Sequence, residues 1–90
     1  MNNSFWDFNP CGIEVSARTL LVALGSEGRA AARREFPNTV EGHQAVLRFL
    51  ERAVRPVRVA LESTGLYGLD LALCLHQAGV AVMVANPRAV

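Results

Sequence analysis

Two glutamates in this chain occupy positions where acidic side chains do chemistry in α/β proteins. Glu62 ends the apolar run Val57-Arg58-Val59-Ala60-Leu61 and is followed by Ser63-Thr64-Gly65, a turn that opens a Leu-rich segment. In open sheets, ligands bind beyond the carboxyl ends of the strands, where a helix N-terminus supplies free N–H groups and a positive dipole end. Glu14 sits inside a second apolar run, Cys11-Gly12-Ile13-Glu14-Val15-Ser16. A carboxylate there is costly unless paired or liganded. Two acidic side chains on neighbouring strands suit Mg²⁺, or Mn²⁺ in its place, because Mg²⁺ favours oxygen ligands and keeps several waters. Metal held this way activates a nucleophile and steadies the leaving oxygen in phosphodiester chemistry. Taken alone, Glu62 reads first as a solvated rim residue, and two carboxylates are few for a pair of metals.

The elements that must position them follow from periodicity. Ile13 and Val15 point one way while Gly12, Glu14 and Ser16 point the other, which makes residues 11–16 a strand. Ala17-Arg18 is a tight turn, Thr19 to Leu24 a second strand, and Gly25-Ser26-Glu27-Gly28 the next hairpin turn. A third strand runs from Arg29 to Phe36, with an Ala-rich beginning, and Pro37 stops it. Asn38 followed by Glu41 is a capping-box pattern that starts a helix with the apolar stripe Val46, Phe49, Leu50, Ala53 and Val54. Glu41, Arg48, Glu51 and Arg52 fall on its wet side, and Arg55-Pro56 ends it. Residues 57–62 are the fourth strand. A second helix is expected from Leu66 to Ala78, capped by Thr64 and Gly65 and stopped by Gly79. Val80 to Val84 is continuous in its hydrophobicity, as buried parallel strands are, and Asn86-Pro87 closes it. The order β-β-β-α-β-α-β gives an α/β fold with a mixed sheet and helices on its faces. The first helix is a crossover of suitable length to bring the strand of Glu14 beside the strand of Glu62.

Composition narrows the field. Ninety residues with 51% hydrophobic and 19% charged side chains make one globular domain or part of one. No run approaches the ~18 apolar residues of a membrane span, and Met1-Asn2-Asn3-Ser4 lacks the features of a signal peptide, so a cytoplasmic location is expected. Residues 1–10 carry Phe5, Trp6 and Phe8 without a period and read as an irregular leader. Cys11 and Cys74 match no metal or redox spacing and read as small buried hydrophobes. The net charge is +1, yet all nine basic residues are Arg, bunched at Arg29, Arg33, Arg34 and at Arg48, Arg52, Arg55, Arg58. His43 and His76 read as helix-surface residues. Asp70 suits a helix dipole, and Tyr67 is open to packing or substrate contact.

Gly12-Ile13-Glu14-Val15-Ser16, Phe36-Pro37-Asn38-Thr39, Gly42, Leu61-Glu62-Ser63-Thr64-Gly65-Leu66-Tyr67-Gly68, Leu75-His76-Gln77-Ala78-Gly79 and Asn86-Pro87 occur in collinear order. In this the chain resembles, from about Cys11 to Val90, the N-terminal DEDD domain of insertion-sequence transposases. That is the family numbered one hundred and ten, which includes Piv-type invertases and bridge-RNA-guided recombinases. The resemblance implies an RNase H-like, RuvC-like fold, here the first part of a domain over residues 11–90. It also implies Mg²⁺- or Mn²⁺-dependent cleavage and exchange of DNA strands and a guide RNA in many relatives. A first part of a domain would leave its fifth strand or the meander edge uncovered, and an exposed apolar edge tends to pair with another chain, so a dimer or a swapped homo-oligomer is expected. Family members use four acidic residues, of which the second matches Glu62 and the first falls on Glu14, where the family has Asp. Thr64, Gly65 and Tyr67 would line the substrate side. Where the family commonly has Lys after the Ser, Ala17 stands. The third and fourth aspartates and a nucleophilic serine belong to later segments, so the 90-residue chain is not expected to cut DNA alone. A catalytically inactive module that binds nucleic acid or oligomerises is the alternative. An actin-like or sugar-kinase half shares the element order, but Val15-Ser16-Ala17-Arg18 lacks its Gly-rich phosphate turn.

Overall fold

Alternation in the first strand decides which way the sheet faces. The computed structural model describes residues 7–63 and 65–85. In β1, Asn9–Val15, the side chains of Asn9, Cys11, Ile13 and Val15 are buried while Pro10, Gly12 and Glu14 are exposed. The same alternation runs through β2, Thr19–Ser26, and β4, Val57–Ser63. With β3, Arg29–Pro37, and β5, Ala81–Ala85, they form a five-stranded sheet in the order β3-β2-β1-β4-β5. The hairpin pairs are antiparallel, and β1-β4 and β4-β5 are parallel.

The two helices lie together on one face, not on both. Helix α1, Val40–Leu50, and helix α2, Leu69–Gln77, cover a single core in which Val46, Phe49, Leu50, Leu71 and Leu75 pack on Ile13, Leu20, Val22, Val59 and Leu61. Among the described residues no helix covers the opposite face, where Gly12, Glu14, Leu21, Ala60, Glu62 and Met83 are exposed and Phe8 lies against Arg58.

Several boundaries differ from expectation for identifiable reasons. Strand β1 starts at Asn9, whose side chain is 1% exposed. Its Nδ2 donates to the Gly25 carbonyl (2.9 Å) and its Oδ1 accepts from the Arg55 N–H (2.9 Å), a tie across three segments that no periodicity signals. The β2–β3 turn shrinks to Glu27-Gly28, with Gly28 at φ +74. Thr39, not Asn38, caps α1: its Oγ1 accepts from the Gly42 N–H at 3.0 Å. Helix α1 stops at Leu50, so Val54, assigned to its apolar stripe, is 90% exposed. Helix α2 begins at Leu69 with Gly68 at its N-cap, so Gly65 does not cap it. Its end is as expected. Gly79 sits at φ +84, its N–H donates to the His76 carbonyl and the Val80 N–H to that of Leu75, a Schellman closure. Strand β5 is an edge among the described residues rather than a buried strand, with Met83 and Val84 exposed.

Candidate functional site

Parallel pairing of β1 with β4 sets Glu14 directly beside Glu62. Both follow apolar residues that bury their neighbours, Ile13 and Leu61, against the helices, so period-two alternation throws both carboxylates onto the open face. Neighbouring strands lie about 4.8 Å apart. The pair stands near the carboxyl ends of the two strands, in a depression of about 410 Å³ shared with Ser16, Thr19, Leu21 and Glu35. Across the open face the register aligns Glu35, Leu21, Glu14, Glu62 and Ala85, one from each strand. Glu35 was not singled out in the sequence. Its signal was faint: alternation against the buried Phe36 puts it on the open face, but only the β2–β3 register puts it in line.

Glu14 is exposed, so the cost of burying a carboxylate does not apply to it. What distinguishes the pair is likeness of charge. Carboxylates directly opposite on adjacent strands repel, and neither forms an ion pair among the described residues, where Arg55–Glu27 is the single salt bridge. The donor set fits a hard divalent cation: two carboxylates offer oxygen ligands to a cation that keeps water in its remaining positions. No group of three or more His, Cys, Asp or Glu able to hold a metal occurs among the described residues. Glu35 lies two strands from Glu14, about 10 Å away, and does not complete one.

The other expected site residues are placed apart from this pair. Gly65, at φ +63, is exposed in the turn after β4. Tyr67 is 53% exposed and lines a hollow on the helix side with Asn38, His43 and Asp70. Thr64 and Asn86-Pro87 lie outside the described residues. His43 is 7% exposed instead of lying on the helix surface, and its Nε2 meets Asn38 Oδ1 at 2.8 Å. Burial holds its imidazole below the ordinary value of 6.5, partly offset by the Asp70 carboxylate. Cys11 is buried, and burial pushes its thiol up to about 12, which leaves it inert. Cys74 is half-buried.

Of the clustered Arg residues, Arg33 shares a hollow on the open face with Glu14 and Glu62. Arg34 and Arg52 approach the Phe49 ring, at 5.2 and 5.6 Å from its centroid, and Arg58 stacks on Phe8 at 4.2 Å. Arg33 stands one row from Glu14 on the open face. No helix of the described residues is long and apolar enough to cross a membrane.

Comparison with known proteins bears on the fold and the family. Among solved structures, "T. thermophilus RuvC in complex with Holliday junction substrate" is similar with a TM-score of 0.64 at 18% identity. The match covers 89% of this chain and 65% of that one, so the chain spans less than two thirds of the RuvC chain. This likeness establishes the RNase H-like α/β fold. The ethanolamine utilization protein EutJ from Carboxydothermus hydrogenoformans matches with a TM-score of 0.49 at 11% identity, over 87% of this chain and 36% of its own. No curated protein sequence matches significantly. Residues 11–90 match the family model of the DEDD transposases of the IS110 type, described as transposase, and by that match over nearly its whole length the chain belongs to this family of transposases.

Proposed function

We propose that the chain is the N-terminal part of a transposase catalytic domain in which Glu14 and Glu62 hold a divalent cation, Mg²⁺ or Mn²⁺, for cleavage and exchange of DNA strands. The observation that carries this reading is the register: two carboxylates on adjacent parallel strands, both exposed at the same end of the sheet. A cation bound there would polarise a phosphodiester and favour the attacking and leaving oxygens. The chain itself supplies two charges on a rigid sheet, and the separation of those charges is fixed by backbone pairing rather than by flexible loops. DNA as the partner rests on family membership and on the RuvC neighbour, whose structure is of a complex with a Holliday junction substrate. Gly65 in the turn after β4, with Thr64 before it in sequence, is proposed to contact the substrate, whereas Tyr67 lines the helix-side hollow, away from the carboxylates. A guide RNA and a homo-oligomeric assembly belong to the same proposal.

Titration of the 90-residue chain with Mn²⁺ by calorimetry tests it. Saturable binding that Glu62→Gln weakens at least tenfold supports the reading. Absence of binding in the wild type, or binding indifferent to Glu62→Gln and Glu14→Gln, overturns it and leaves the inactive nucleic-acid-binding or oligomerising module as the better account.

A further inference from the structure

Asn38 joins the two chain segments that leave the carboxylate-bearing strands. Its side-chain amide donates one hydrogen to the Ser16 carbonyl (2.9 Å) and the other to the Tyr67 carbonyl (3.0 Å). Its backbone N–H donates to the Arg18 carbonyl (2.8 Å). Ser16 is the second residue after Glu14, and Tyr67 opens the way to α2 after Glu62. Because both amide hydrogens are used on carbonyls, Oδ1 must accept, and the neutral His43 therefore carries its proton on Nε2, 2.8 Å away. Every polar atom of the Asn38 side chain is thus engaged.

Both linked segments are stiff, so the link transmits position. The Ser16–Thr19 turn closes on itself through the Ser16 N–H to the Thr19 carbonyl (2.9 Å) and the two hydroxyls at 2.8 Å. On the other side, Gly68 is pressed onto the end of β4. A Cβ added there would stand 2.8 Å from Leu61 Cδ2 and 3.0 Å from Ser63 Cβ, the residues flanking Glu62. Movement of the Tyr67 carbonyl therefore pushes against the neighbours of one carboxylate, while movement of Ser16 pulls on the strand of the other.

We propose that Asn38 is a positioning residue for the Glu14–Glu62 pair, its one amide fixing the separation of the loops that follow the two strands. This rests on the metal-binding reading above. The chemistry is that of a metal-site support: partners outside the ligand shell commonly govern affinity by tenfold or more.

The test measures Mn²⁺ affinity of the full 90-residue chain in wild type, Asn38→Ala and Asn38→Asp, at a temperature where circular dichroism shows each folded. Asn38→Asp matters most, since it keeps volume and an acceptor for His43 but loses both donated bonds. Its added negative charge would by Coulomb attraction tighten cation binding, so weaker binding reports lost positioning. Affinity about tenfold weaker in both variants supports the proposal, and unchanged affinity with a lowered Tm overturns it, as a purely structural role would give. If the wild type binds no Mn²⁺, or Glu62→Gln changes nothing, the metal reading has failed separately. The clamp is then judged by amide hydrogen exchange at Ser16 and Leu69: exchange at least tenfold faster at both in Asn38→Asp supports the link, and unchanged exchange overturns it.

Discussion

At the residue scale, Glu14 and Glu62 carry opposite consequences with and without a cation. Adjacent like charges on a sheet cost a few tenths of a kcal/mol to about 1 kcal/mol. In metal-free buffer Glu62→Gln should therefore raise the Tm by about 1–8 °C, given roughly 4–8 °C per kcal/mol for a domain this small. In saturating Mn²⁺ the order should reverse, because only the wild type gains ligand stabilisation. Differential scanning calorimetry in both buffers reads the crossing. Glu14→Asp, which restores the residue found in the family at that place, should keep Mn²⁺ binding, whereas Glu14→Gln should weaken it at least tenfold by the same titration that tests Glu62. His43 gives a pH-dependent prediction. Its folded-state value is lowered by burial, with Asp70 opposing. Below about pH 6.5 the unfolded chain takes up a proton that the folded chain resists, so stability present above 6.5 falls as pH drops towards the folded value. Urea unfolding at pH 7.5 and 5.5 should show that fall in the wild type and a smaller one in His43→Gln. The carboxylates were legible because strand alternation and crossover length are local rules. His43 and Asn38 were not, because helical spacing shows which residues share a face but not which distant carbonyls they meet.

At the element scale, the start of α1 shows how tertiary contact overrides a local signature. The sequence Asn38-Thr39-Val40-Glu41 fits a capping box beginning at Asn38, yet Asn38 is drawn into bonds with Ser16, Tyr67 and His43 and the cap passes to Thr39. Thr39→Ala should cost about 1 kcal/mol, the usual worth of an N-cap side chain. Three residues on, Gly42 is buried against Pro37, and an added Cβ would overlap the Pro37 carbonyl. Gly42→Ala should therefore cost more than the cap, about 3 kcal/mol, because backbone rather than a flexible side chain must give way. Chemical denaturation of the two variants checks the ranking, and a Gly42→Ala variant as stable as the wild type would show that α1 slides freely on β3. The element order and the helix stop at Gly79 were readable, since both follow from short-range patterns. The start of α2 was misjudged by three residues. Leu66 and Tyr67 have helical propensity, but the turn spanning them is held by Asn38 and by Gly68 packed on Leu61 and Ser63.

At the scale of the whole molecule, the uncovered parts of the sheet are guarded unequally. One edge, β3, carries Arg29, Arg33, Arg34, Glu35 and Pro37, charged and proline residues of the kind that discourage strand addition. The other edge among the described residues, β5, is Ala81-Val82-Met83-Val84-Ala85, with no charge and with Met83 64% exposed on the open face. Beside Met83 that face carries Ala60, Gly12 and Ala23 in one row, small and apolar, with the row's one charge, Arg33, at the far end on β3. A second copy meeting the first through β5 would satisfy the unpaired backbone groups of both edges at once and keep the carboxylate pairs of the two copies on the same sheet. The chain should therefore self-associate with rising concentration through this edge. Met83→Lys places a charge at its centre without touching the core, so sedimentation should show the variant monomeric where the wild type is not, with the circular dichroism spectrum and Tm nearly unchanged. Equal self-association in Met83→Lys would mean that the open face or β3, rather than β5, is where copies of this chain meet.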